Sequence, residues 1–240
     1  MLSPAAALAQ SQAPDAGSAI SPAVTAFLLA AMSLVLLLAL MATAFVRIGT
    51  VLAILRLAVG LPSIPPASVV TGLTLVLTLF VMAPVGTEVA DRAGPLLTSL
   101  EKKGPLSVED LRASGRLAAE AGAPLLAFLK ERADPVEVAF FHDAALRLRK
   151  GASAAVEKDS FQVLLPAFVI GELKQAFRIG FLLFIPFLVI DLVVANLLVA
   201  IGLTTLQPAT VALPLKLLLF IMADGWHLVA GNLVKGFLPS

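Results

Sequence analysis

Two long stretches of this 240-residue chain carry no charged side chain, Ala16–Val46 and Leu57–Thr87. Each exceeds the ~20 apolar residues with which a helix crosses the hydrocarbon core of a bilayer. Phe27–Val46 and Val69–Val85 are the expected helical cores. Arg47 and Arg56 then fall in a short connection that runs on through Gly60-Leu-Pro-Ser-Ile-Pro-Pro66, whose prolines cannot continue a helix. Residues 21–87 therefore read as a first hydrophobic hairpin, preceded by a tail over 1–20. Ala7-Leu-Ala9 has the small-x-small form of a signal-peptidase site without a basic segment before it. The tail is thus either a truncated signal peptide or a chance likeness to one.

A third apolar region occupies residues 161–240, in two units, Phe161–Leu203 and Ala209–Val234, joined by the uncharged tip Gly202-Leu-Thr-Thr-Leu-Gln-Pro208. The first unit is too long for one straight span, so a kink or re-entrant break is expected at Pro166 or Pro186. Glu172, Lys174 and Arg178 stand at the mouth of its 19-residue apolar run Phe181–Val199, which itself contains Pro186, Asp191 and Asn196. Ionisable groups there are costly unless they face protein or a water-filled path. Lys174 and Arg178 lie one helical turn apart and repel unless paired, so Glu172, Lys174 and Arg178 are expected to pair within or between subunits. Asp224-Gly-Trp226 reads as an aspartate capping a break, a glycine allowing the turn and a tryptophan at an interface.

Between the apolar regions, residues 88–160 hold 23 of the 33 charged side chains, 11 basic and 12 acidic. Helix starts are expected at Ser107, with Asp110 three residues on, and at Asp134, with Pro135 in the first helical position. Val136, Ala139, Phe140, Ala144, Leu146 and Leu148 supply the expected packing face of the second helix. This polar helical insert is either a docking domain or a solvated loop domain.

Composition sets the class. With 59% hydrophobic and 14% charged residues and a mean hydropathy of +0.99, the chain is far more apolar than a soluble domain. A net charge of +1 gives no footprint for nucleic acid. The absence of cysteine removes disulfides, thiolate metal sites and cysteine nucleophiles. His142 and His227 lie in different regions and form no ligand-spaced cluster, and no phosphate loop is visible. No catalytic, metal or cofactor site is expected.

Pro166-Ala-Phe-Val-Ile-Gly-Glu-Leu-Lys-Gln-Ala-Phe-Arg-Ile-Gly180-Phe181 closely resembles one signature of the FliP/SctR family, export-apparatus proteins of flagellar and injectisome type III secretion. Pro214-Leu-Lys216, followed beyond an apolar stretch by Asp224-Gly-Trp226, looks like its second signature. Phe45-Val-Arg-Ile-Gly-Thr-Val-Leu-Ala-Ile-Leu-Arg56, the Gly60–Pro66 turn and Phe80-Val-Met-Ala-Pro84 add a third similarity, so that residues 27–90 and 161–236 are covered. The resemblance implies a non-enzymatic, all-α integral membrane protein of kinked helical hairpins, with a polar periplasmic insert, that assembles as a homopentameric ring and needs no cofactor. It implies small membrane partners of the FliQ/SctS and FliR/SctT families and export components of the FlhB/SctU and FlhA/SctV types. Membrane lipid and unfolded secreted proteins complete the expected contacts. The implied place is the bacterial inner membrane, multi-pass, within the secretion basal body, with injectisome use slightly favoured by Ala195-Asn196 and Leu164-Leu165.

Two departures from the family pattern bear on mechanism. Gly171 stands where a serine is usual, and the turn after Gly202, usually methionine-rich, reads Leu203, Thr204, Thr205, Leu206. The constriction is accordingly expected at Leu203 and Leu206, with Thr204 and Thr205 toward neighbouring backbone. Glu172, Lys174, Arg178, Asp191, Lys216 and Asp224 are the polar groups expected to hold the assembly. Arg47 and Arg56, set against the uncharged 203–213 link, place the first connection in the cytoplasm and residues 88–160 outside. A small-molecule or ion-coupled channel or transporter is the alternative, although no inverted repeat relates 27–87 to 161–236; a structural scaffold is a third reading.

Overall fold

The computed structural model describes residues 22–60, 65–101, 108–148 and 156–238, and all regular structure among them is helical. The chain divides into two units, Met1–Ala39 and Leu40–Ser240. The first holds most of α1 (Pro22–Met41), a 20-residue helix whose Leu29, Leu34, Leu36 and Leu37 are exposed. It spans about 30 Å, the thickness of a hydrocarbon core.

The expected helix Phe27–Val46 is in fact two. Thr43 Oγ1 donates to Leu40 O at 2.7 Å and accepts from Phe45 N–H at 3.3 Å, so this hydroxyl competes with the helix and ends it. A new helix, α2 (Phe45–Val59), begins at once. Arg47 and Arg56 therefore lie on a helix and not in a connection. α2 ends at Gly60, whose φ of 82° is left-handed and whose N–H reaches Leu57 O. Residues 61–64 of the proline-rich turn, Ser107 and residues 1–20 lie outside the described residues.

α2 is the centre of the second unit. Ile48, Val51, Leu52 and Leu55 are buried, and α2 packs against α3 (Ala67–Glu101), α6 (Phe161–Ala200) and α7 (Pro208–Met222). α3 runs 35 residues through Pro84 and Pro95 and crosses residues 87 and 88 without a break. Its buried Thr74 and Thr78 donate their hydroxyls to carbonyls one turn back, Val70 O at 2.8 Å and Thr74 O at 2.7 Å, so no polar group is left orphaned there.

α6 overturns the expected re-entrant break. It is one continuous helix of 40 residues, broken by neither Pro166 nor Pro186. Each proline forfeits one backbone hydrogen bond, but ending the helix in apolar surroundings would strand several more. At ~1.5 Å per residue it is about 60 Å long, twice a bilayer core. Gly180 lets α2 approach: a Cβ there would come 2.5 Å from Ile54 Cδ1. The break occurs later, where α7 and α8 (Gly225–Lys235) meet at 59°. The Ala67–Pro95 part of α3 and α6 are each long and apolar enough to cross a membrane, and α7 with α8 forms a third, broken candidate.

α4 (Val108–Arg132) and α5 (Pro135–Leu148) make up the described helices of the polar region beyond α3. Asp134 starts α5 as expected, its Oδ1 accepting Val136 N–H at 2.9 Å and its carbonyl accepting Val138 N–H. The packed face of α5 is different from the expected one. Val138 and Phe141 join the core, whereas Val136, Phe140, Leu146 and Leu148 are exposed. Val138 and Phe141, three residues apart on one face, meet the core, and Glu137 beside them reaches Lys174 of α6.

Candidate functional site

The polar residues of the apolar helices resolve into three separate arrangements. In the first, α2 carries Arg47 into the core against Glu172 of α6, Nη2 to Oε1 at 2.5 Å, with both side chains almost wholly buried. Arg47 also donates to Gly236 O at 3.3 Å and lies 4.2 Å over the Phe237 ring. Arg132 from α4 donates to the same Gly236 carbonyl at 3.0 Å and to Phe237 O at 2.6 Å. Two arginines thus bind the segment after α8 onto α2, α4 and α6. The Phe237 ring stacks on Phe128, which meets Phe168 edge-on. Charge-assisted bonds in so dry a place are strong, and loss of either partner would leave an uncompensated charge.

The second arrangement lies further along α6. Lys216 of α7 donates to Asp191 Oδ2 at 2.6 Å and to Ala58 O at 3.2 Å. Ala58 belongs to the last turn of α2, whose carbonyls have no partner within the helix. A buried cation at the negative end of α2 is favoured by the helix dipole, so Lys216 ties α7 to both α2 and α6. The third arrangement is on the surface: Lys174 pairs with Glu137 at 2.8 Å and with Asp134 at 3.5 Å. A Cβ at Gly171 would stand 3.3 Å from Asp134 Cβ, so the glycine in place of serine leaves room for the start of α5.

Within one chain Glu172, Lys174 and Arg178 are therefore not partners of one another, although Glu172 and Lys174 are each paired elsewhere. Glu172 points inward and Lys174 toward α5, while Arg178 is exposed and has no acidic partner among the described residues. Asp191 and Lys216 do pair. Arg47, Arg132 and Glu137 supply the opposite charges and hydrogen bonds, a role expected from sequence for none of them. Arg47 had one available signal, its place inside Phe45–Val59, an apolar stretch long enough for a helix. Its burial also removes it from the charges that orient the chain, leaving Arg56 in the last turn of α2.

The tip between α6 and α7 is built by Gly202. With φ at 76° it allows Leu203 N–H to reach Leu198 O at 2.9 Å and its own N–H to reach Val199 O at 3.1 Å, the paired closure of a helix C-terminus. Leu203, Thr204, Thr205 and Leu206 follow on the exposed turn.

At the second bend Asp224, exposed, takes the left-handed conformation with φ 48°, and its side chain caps nothing. Gly225 is not the residue that turns the chain, contrary to expectation. It is needed because a Cβ there would collide with the Phe220 ring, which meets Trp226 edge-on at 5.3 Å. Gly225→Ala should displace Phe220 and cost about 1–3 kcal/mol, seen as a lower melting temperature in detergent, with partial recovery when Phe220→Leu is added. An unchanged melting temperature for the single variant would contradict this account of the signature.

His142 Nε2–H donates to Val156 O at 3.0 Å, and His227 is exposed on α8. No group of three or more histidine or acidic side chains suited to a metal occurs among the described residues.

Residues 28–233 match the FliP family model. The chain is 39% identical over 210 residues to the Yop proteins translocation protein R of Yersinia pestis, covering 87% of this chain and 93% of the relative. It is 45% identical over 199 residues to the flagellar biosynthetic protein FliP of Pectobacterium carotovorum, covering 82% and 72% of the two chains. The harpin secretion protein HrcR of Erwinia amylovora is 37% identical over 218 residues, with 90% and 97% covered. The signatures at Pro166–Phe181 and Pro214–Trp226 thus fall within a match that spans most of the chain, and this protein belongs to the FliP family.

Proposed function

We propose that this membrane protein, a component of the type III secretion export apparatus, is the subunit that forms its pore and gate. In this reading several copies, expected to be five, form a ring in the bacterial inner membrane. The ring is joined by small membrane proteins of the FliQ/SctS and FliR/SctT kinds and meets FlhB/SctU-like and FlhA/SctV-like components. Residues 88–160 lie on the periplasmic side, and unfolded proteins pass through the centre. Relatives from flagella and from virulence systems match over similar lengths, so the reading covers the step common to both.

One observation carries the proposal. The apolar helices pair their buried charges internally, through Arg47–Glu172 and Lys216–Asp191, yet α6 leaves the outer side of a helix twice as long as a bilayer is thick uncovered. A helix of that length cannot rest wholly in lipid, and it suits a subunit that stands against others. The constriction is assigned to the exposed tip at Leu203 and Leu206, because a ring of apolar side chains seals a pore to ions by dewetting.

Extraction in mild detergent of the tagged chain, expressed with its neighbouring genes, tests this. Recovery as a multi-copy ring bound to two small hydrophobic proteins is expected. A monomer or dimer free of them would favour a transporter instead.

A further inference from the structure

Along α6 the residues Arg178, Leu182, Ile185, Val189, Leu192 and Asn196 follow one another at alternating steps of four and three, and all six are exposed. The line lies half a turn from the buried residues Ala176, Gly180, Phe187, Val194 and Leu198 of the same helix. Lipid alone would not select it, since an unpaired arginine and an asparagine within an apolar face are costly there.

A matching line runs along α3. Gly72, Val76, Leu79, Ala83, Gly86 and Ala90 are exposed at the same alternating spacing, opposite the buried Thr74 and Thr78. Four of the six are glycine or alanine, and a Cβ at Gly72 or Gly86 would meet no atom within 4 Å. Asp91, which follows Ala90, is exposed and pairs with no cation among the described residues, whereas its neighbour Arg92 reaches Glu88. In antiparallel register Leu182, Ile185 and Asn196 of one line thus find Gly86, Ala83 and Gly72 of the other, and the unpaired cation finds an unpaired acid.

Direction agrees as well. α2 and α6 run parallel, because Arg47 at the start of α2 meets Glu172 while Ala58 at its end shares Lys216 with Asp191. α3 turns back on α2, with Thr74 beside Gly49 and Val69 beside the α2 end. α3 is therefore antiparallel to α6, and α2 lies between them, so the two lines cannot meet within one chain. Copies related by rotation about an axis along the helices keep that antiparallel relation. From Arg178 to Asn196 is 196 − 178 = 18 residues, and from Asp91 back to Gly72 is 91 − 72 = 19, so both ends of the lines come into register.

We propose that the α6 line of one copy packs antiparallel on the α3 line of the next, with Arg178 paired to Asp91 of that copy and Asn196 over Gly72. Small residues permit close helix approach in a membrane, and the 4-3 spacing is that of knobs-into-holes packing. The interface joins two different faces, so it propagates from copy to copy around a ring. It rests on the ring reading above.

The chain has no cysteine, so cysteine pairs can be placed at will. Ile185→Cys with Ala83→Cys, in the complete apparatus in membranes and oxidised with copper phenanthroline, should give a ladder of cross-linked copies. Arg178→Cys with Gly72→Cys, which would meet only in a parallel arrangement, should give none. Arg178→Glu should lower the ring yield by about tenfold or more, and adding Asp91→Arg should restore it to within about threefold. A ring of normal mass without the Ile185–Ala83 cross-link, or a charge reversal that Asp91→Arg does not rescue, would overturn this interface alone. Native mass measurement showing only monomers would overturn the ring reading and the interface together.

Discussion

Replacing Glu172 by alanine should remove most of the folded chain from the membrane. Its carboxylate sits 2.5 Å from Arg47, and both side chains are more than nine-tenths buried. Deleting one partner of such a pair costs about 3–5 kcal/mol, because a desolvated charge is left behind. Marginal folds hold only about 5–15 kcal/mol in all, so a loss of chain and ring of roughly tenfold or more is expected by quantitative blotting and native electrophoresis. The double variant Arg47→Met with Glu172→Leu separates this cause from simple loss of volume. It removes both charges, and Gly236 O keeps its bond from Arg132. Recovery of much of the lost ring is expected, since apolar replacements of buried pairs are often neutral. A Glu172→Ala chain that accumulates and assembles as wild type would contradict the role given to the pair.

The second large effect is expected at the tip. Leu203 and Leu206 sit on the exposed turn that Gly202 closes, with Thr204 and Thr205 between them. If these leucines line the closed pore, glycine at both positions removes apolar surface that keeps water and ions out. Burial of one leucine is worth about 2 kcal/mol, and a barrier lowered by that much raises ion passage roughly thirtyfold. Cells expressing the complete apparatus with Leu203→Gly and Leu206→Gly should therefore leak ions while the ring remains assembled. Threonine-to-valine changes at 204 and 205 should leave the leak low. Unchanged permeability in the double glycine variant would move the gate to a partner subunit.

How much of this was legible in the sequence depends on distance along the chain. The apolar stretches, the start of α5 at Asp134 and the polar residues within α6 are local patterns, and they could be read directly. α2 was hidden because its two arginines interrupt the charge-free stretches that mark a span. What makes Arg47 acceptable in a core is Glu172, 125 residues away, and no local window contains both. The expected face of α5 differs for a related reason, since the core that Val138 and Phe141 meet is built from residues far away in the chain. At Asp224-Gly225 the usual rule assigns the turn to glycine. Here aspartate tolerates the left-handed conformation, and glycine is required by the neighbouring Phe220 ring. The prolines of α6 show the converse, a strong local signal overruled by the cost of an open backbone in apolar surroundings.

The central claim is that unfolded protein passes through a ring of this chain. A photo-crosslinking amino acid at Leu206, in the full apparatus, with an export substrate stalled by a folded domain at its C-terminus, tests it most directly. The account predicts an adduct between position 206 and the unfolded segment of the stalled substrate, and none from Glu120 on α4. An assembled ring with a stalled substrate, yet no adduct at 203 or 206, would contradict it.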